Sequence, residues 1–96
     1  MALATVTSNS YGFRVTGGTD ATPVTAMRLK VLAFTFTAAG AADTCTITDK
    51  DGKAVIAVTS TGAAGDINQI DWYGASVDGL SVTLSDASGV LIVILY

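Results

Sequence analysis

The sequence predicts an all-β fold: a single-domain antiparallel β-sandwich of seven or eight strands, jelly-roll or immunoglobulin-like. Three observations predict it. Fourteen threonines and ten valines favour extended backbone. Apolar residues alternate with period two in several windows, and no window shows the i, i+3, i+4, i+7 spacing of a helix. All eight acidic residues are aspartates, which favour turns over helices. Turn signals recur at about the 8–12-residue spacing of a sandwich or barrel.

The elements follow in order. Residues 1–10 form a Ser/Thr-rich N-terminal arm or edge strand, and residues 11–96 form the sandwich. Tyr11, Phe13 and Val15 alternate onto one face of a first strand. Gly17 to Pro23 reads as a loop, and the next strand is expected to start after Pro23, which lacks a ladder donor. Residues 24–38 make one long extended stretch. Met27, Leu29 and Val31 share one face of it and Leu32, Phe34 and Phe36 the other, a phase flip that either a β-bulge or a strand changing sheets would produce. Arg28 and Lys30 then point outward.

Ala39 to Ala42 turns the chain into the strand 43–48, with Cys45 and Ile47 inward. Asp51-Gly52 at the heart of Asp49–Lys53 is a hairpin signal, and Ala54 to Ser60 returns beside it. After a loop at 61–66, Ile67 to Tyr73 reads as a strand with Ile70 and Trp72 on one face. Gly74 to Gly79 reads as a loop or a broken edge, Leu80 to Leu84 as a strand, Ser85 to Gly89 as a turn, and Val90 to Tyr96 as a last strand apolar on both faces.

Composition removes many functions. The chain has 96 residues, is half hydrophobic and carries only 14% charged residues, against about 25% in an ordinary soluble domain. Such a chain is not intrinsically disordered, and part of its apolar surface is expected to face another chain. It has no histidine and no glutamate, which removes the commonest general base and zinc ligand. No catalytic, metal or cofactor-binding residue is assigned, and the chain reads as a non-enzyme. Five scattered basic residues and a net charge of −3 leave no stripe for nucleic acid. The seven-residue run Val90–Tyr96 is too short for a membrane-spanning helix, which needs about 20 residues. The N-terminus lacks the basic and apolar regions of a signal peptide, so synthesis without export is expected.

Several local patterns have bland explanations. Asp49-x-Asp51-Gly52 opens like a calcium loop but lacks the closing glutamate; it reads as a turn. Asp43-Thr44-Cys45 departs from the Asp-Thr/Ser-Gly of aspartic proteases at its third position. Cys45, the one cysteine, has no histidine to activate it and reads as a small buried hydrophobe. Trp72-Tyr73 has two readings. Either the pair is core and rim, or it is an exposed aromatic contact for a sugar or protein partner.

The last strand carries the strongest signal. A sandwich strand has one wet face, and Val90 to Leu95 has none. The set Leu91, Val93 and Leu95, with Tyr96, is assigned to a subunit interface. Burying three such side chains contributes about 5–8 kcal/mol before ordering costs.

The order of features then resembles a known family. A Thr/Ser arm precedes the long strand Met27-Arg28-Leu29-Lys30-Val31-Leu32-Ala33-Phe34. A hairpin follows through Thr48–Lys53. The end reads Val77-Asp78-Gly79-Leu80-Ser81-Val82-Thr83, a Ser/Gly turn, and Val90-Leu91-Ile92-Val93-Ile94-Leu95-Tyr96. Over most of residues 24–96 this resembles the small capsid decoration, or cement, proteins of tailed phages, cyanophage-like ones especially. The resemblance implies a β-sandwich subunit without catalytic residues. It implies a homotrimer that clamps the outer capsid surface where major capsid proteins meet, with the N-terminal arm free to touch the shell. Its location would be the virion, after assembly in the host cytoplasm. The alternative is a sandwich module that binds a host glycan or receptor, as tailspike tips and adhesins do.

Overall fold

The computed structural model describes residues 2–96; Met1 of the predicted arm lies outside them. Seven strands form along the chain: β1 Thr5–Asn9, β2 Gly12–Thr16, β3 Thr22–Thr37, β4 Thr44–Thr48, β5 Ala54–Thr59, β6 Ile67–Leu84 and β7 Val90–Leu95. They make one antiparallel sheet in the order β1-β2-β7-β3-β6-β4-β5. The sheet is open, with β1 and β5 at its edges. The all-β antiparallel expectation is met at this level.

Aspartates mark the corners, as their turn chemistry dictates. The Asp43 carboxylate accepts from the Gly40 amide at 2.8 Å, and that of Asp86 from the Ser88 amide at 2.8 Å. Asp49 accepts from the amides of Asp51 and Lys53 at 2.9 and 3.0 Å, which closes the β4–β5 turn through Gly52 at φ +80°. That turn consumes one oxygen of the calcium-like motif. Asn9 does the same for β1–β2, accepting from the Tyr11 and Gly12 amides.

β3 and β6 are the spine. Thr22–Val31 pairs with Ala75–Val82, and Ala33–Thr37 pairs with Ile67–Asp71. Between these stretches the register shifts, where Leu32 alone opposes Trp72, Tyr73 and Gly74. The phase flip read from the sequence is this bulge. It brings Val31, Phe34 and Phe36 into the core together. Two expectations change with it. Leu32 is the extra residue against β7, between Val31 and Ala33, and is exposed, not inward with Phe34 and Phe36. Met27 is 73% exposed, because further register shifts between Pro23 and Arg28 turn its segment away from the core.

Three boundaries also differ. Gly74–Gly79, expected as a loop or a broken edge, is part of one continuous 18-residue strand. Its partner β3 offers a ladder long enough to hold it extended, and Gly74 and Gly79 take the positive φ that the irregularities need. Pro23 sits inside β3 beside a register shift, not before the strand. Tyr11 occupies the β1–β2 turn and is exposed, not inward with Phe13 and Val15.

One buried cluster holds the fold together. Val15, Phe34, Phe36, Leu91 and Val93 come from β2, β3 and β7; Cys45, Ile47, Val82 and Leu84 come from β4 and β6. Side chains from both halves of the sheet therefore meet in a single core. The two polar residues buried with it are satisfied. Thr22 Oγ1 accepts from the Ala4 amide at 2.8 Å and donates to the Asp20 carbonyl at 2.9 Å. Ser60 Oγ donates to Asp66 at 3.0 Å.

Candidate interaction surface

The apolar strand β7 has two faces because successive side chains point to opposite sides. Leu91 and Val93 are 1% and 0% exposed and belong to the core. The sequence assigns them to a subunit interface; the structure corrects this. Leu91 pairs with Phe36 and Val93 with Phe34, and all four lie in the buried cluster with Cys45, Ile47, Val82 and Leu84 of β4 and β6. Leu95, from the same set, is half-buried against the core. Tyr96 is 78% exposed.

The other face carries Val90, Ile92 and Ile94, which are half-buried and outside the core cluster. Ile92 is flanked by Arg14 on β2 and Thr35 on β3, and Ile94 by Gly12 and Ala33. Thr35 in turn pairs with Gln69 and Thr37 with Ile67. This face is a band of isoleucine, valine, threonine and alanine, with Arg14 and Asp71 at its margins.

The Trp72-Tyr73 pair splits. Trp72 is half-buried and packs edge-on against Phe34, ring centroids 5.5 Å apart at 75°. Its indole nitrogen is buried without a hydrogen-bond partner. Trp72 is thus a core-side residue, not an exposed contact. Tyr73 is 82% exposed and has φ +56°, a conformation that costs a bulky residue about 1–2 kcal/mol.

The bulge gathers the exposed aromatics. Tyr96 donates its amide to the Lys30 carbonyl at 2.9 Å, and its ring lies over Gly74, where a Cβ would stand 2.8 Å from it. Gly74 follows Tyr73 directly. The Leu95 amide donates to the Tyr11 carbonyl at 2.8 Å. All three tyrosines, with Leu32, therefore lie around the end of β7. The sequence shows the alternation of β7, but which face stays open depends on the pairing with β3. The joining of Tyr96 to Tyr73 follows from Gly74 and has no sequence signal beyond a glycine.

Burial pushes the Cys45 thiol up to about 12, so it carries no thiolate near neutral pH. Among the described residues no group of three or more Cys and Asp side chains could hold a metal ion. A cleft of about 380 Å³ lies between the start of β3 and the β4–β5 turn, lined by Pro23, Ala26, Thr48, Lys50 and Leu80 among others. Its one carboxylate, Asp49, is engaged by the turn amides. Arg28 and Asp78 face each other across β3 and β6 at 3.5 Å; both are exposed, and such a pair contributes little.

No family model, curated protein or solved structure matches the chain.

What this surface can do is associate. It offers an apolar, weakly charged sheet face beside a rim of tyrosines, the residue type that anchors protein interfaces and stacks on sugar rings.

Proposed function

We propose that the chain is a structural virion subunit, a decoration protein that assembles as a homotrimer on the outer capsid surface and braces the major capsid protein. The observation that carries this reading is the open face of β7, with Ile92 and Ile94 half-buried and outside the core. Covering its three partly exposed aliphatic side chains would contribute about 2–4 kcal/mol, which favours association over a lone monomer. The family resemblance supplies the capsid and the threefold symmetry; the face supplies a surface on which copies could meet. The sheet also supports the sandwich reading. Its smallest extent is 25 Å, whereas a single flat layer is about 10 Å thick. A bend at the Leu32 bulge would fold it into two layers over the shared core. A non-enzymatic role fits an inert thiol and aspartates spent on turns.

The test is the mass in solution. The wild-type chain is expected to sediment at three times its 9.7 kDa mass, or a whole multiple of that. Ile92→Asp is expected to remove the three-copy species while leaving the circular dichroism spectrum unchanged. A wild-type monomer at micromolar concentration would overturn the trimer.

The exposure of Tyr73 beside Tyr96 favours a second reading, a host-glycan contact on the same surface. Tyr73→Ala should then abolish binding on a glycan array; an unchanged profile removes this reading and leaves the first intact.

A further inference from the structure

We propose that the glycan contact beside Tyr73 takes an acidic sugar, with the Tyr96 ring as its platform and the Lys30 ammonium as the partner of its carboxylate or sulfate. This rests on the glycan reading and names the class of sugar. Register places the groups. The Tyr96 amide donates to the Lys30 carbonyl at 2.9 Å, and on its other side Lys30 pairs with Ser76. Residues directly opposite each other in a ladder project from the same face. Tyr96, Lys30 and Ser76 therefore form one row across β7, β3 and β6. The register of β3 on β6 runs unbroken from Arg28 to Val31, so no bulge displaces Lys30 from Ser76. The Tyr96 ring reaches across to Gly74, two residues before Ser76, where a Cβ would stand 2.8 to 3.1 Å from three of its atoms. The ring is thus held along one edge by the backbone of β6, and the residue is otherwise exposed.

The charge of this row is positive and uncompensated. Arg28, two residues before Lys30, faces Asp78 at 3.5 Å. That is the one ion pair within 4 Å among the described residues, so Lys30 has no carboxylate partner there. Lys30 and Ser76 are both exposed. An open aromatic ring, a free ammonium and a hydroxyl in one row complement a pyranose that carries an acid group. Its C–H face stacks on the tyrosine, its acid group accepts a charge-assisted hydrogen bond from the ammonium, and a ring hydroxyl meets Ser76. Neighbouring strands lie about 4.8 Å apart, so the row spans about 10 Å, the scale of a disaccharide.

An acidic peptide fits this row less well. β3 lies between β7 and β6 and is paired to both, so the row offers no free main-chain ladder for a strand to join. The ligand has to be held by side chains alone, as a sugar is.

The experiment is a glycan array printed with carboxylated, sulfated and neutral glycans and probed with the intact chain. Titration with methyl glucuronide and methyl glucoside, which differ only in the C6 carboxylate, follows. Acidic glycans should bind at least about tenfold more tightly than their neutral counterparts, the effect of one charge-assisted hydrogen bond. A preference for either acid group supports the proposal and identifies the group. Lys30→Glu should abolish the preference and Lys30→Arg should retain it. The circular dichroism spectrum should be unchanged in both, because the side chain is exposed. Tyr96→Ala should weaken acidic and neutral glycans alike. Equal binding of neutral and acidic glycans, or an acid preference that survives Lys30→Glu, would overturn the proposal and leave the glycan reading intact. Capture of poly-aspartate as tightly as of acidic glycans would overturn it in favour of a peptide. An array without any bound glycan refutes the glycan reading itself, and this proposal with it.

Discussion

Gly12 and Gly52 offer a matched test of how this sheet is packed. Both have positive φ, +148° and +80°, so alanine is conformationally strained at either position. That strain costs about 1–2 kcal/mol. Their surroundings differ completely. At Gly52, in the β4–β5 turn, an added Cβ meets nothing within 4 Å. At Gly12 the Cβ would stand 2.1 Å from the Val93 carbonyl oxygen and 3.3 Å from Leu95 Cγ. The first obstacle is backbone of β7 and cannot rotate away. The β2–β7 pairing of Gly12 with Ile94 would have to open, which adds an overpacking cost of about 1–3 kcal/mol. Gly52→Ala is therefore expected to destabilise by about 1–2 kcal/mol and Gly12→Ala by about 2–5 kcal/mol. Urea titration at one fixed protein concentration measures both, as a lowered midpoint at unchanged slope. Equal losses, or a larger loss at Gly52, would refute the close approach of β2 to β7 and the placement of the open β7 face beside it.

Two further predictions concern single side chains. Burial holds the Cys45 thiol at about 12, against 9.0 when exposed. The unfolded chain loses this proton first as pH rises, so stability should be fully present below about pH 9 and fall as pH climbs towards 12. Equilibrium unfolding across that range should show the decline, and Cys45→Ala should flatten it. The native thiol should also resist a thiol reagent at pH 8 until the chain is unfolded. At Tyr73, asparagine tolerates positive φ better than an aromatic residue, so Tyr73→Asn should raise stability by up to about 1 kcal/mol. A loss of stability would mean that the Tyr73 ring packs on the fold instead of standing free for a partner.

Much of the fold was legible in the sequence. The hairpin at Asp51-Gly52, the inward pair Cys45 and Ile47 and the bulge after Val31 all follow from local pattern, because turn chemistry and alternation act over a few residues. The misread elements share a cause. Gly74–Gly79 has the composition of a loop, yet the long partner β3 holds it as strand. Met27 has the composition of core, yet register shifts turn it outward. Trp72-Tyr73 reads as one cluster, but the bulge sends Trp72 toward Phe34 and Tyr73 into solvent. The candidate surface was legible as excess apolar content in β7, but Leu91 and Val93 were assigned to the wrong side of it.

The sequence by itself determined that the chain is extended, antiparallel and cornered by aspartates, and that β7 is apolar on both faces. Period two and turn propensity are local properties that each segment carries with it. Only the tertiary structure decided which face of β7 is spent on the core, which strand ends the sheet, and which aromatics stand together. Those depend on register. Pairing Val93 with Phe34 and Leu91 with Phe36 buries one set of side chains, and a slip by one residue would bury the other. That choice is made between strands far apart in the chain, where no local pattern reaches.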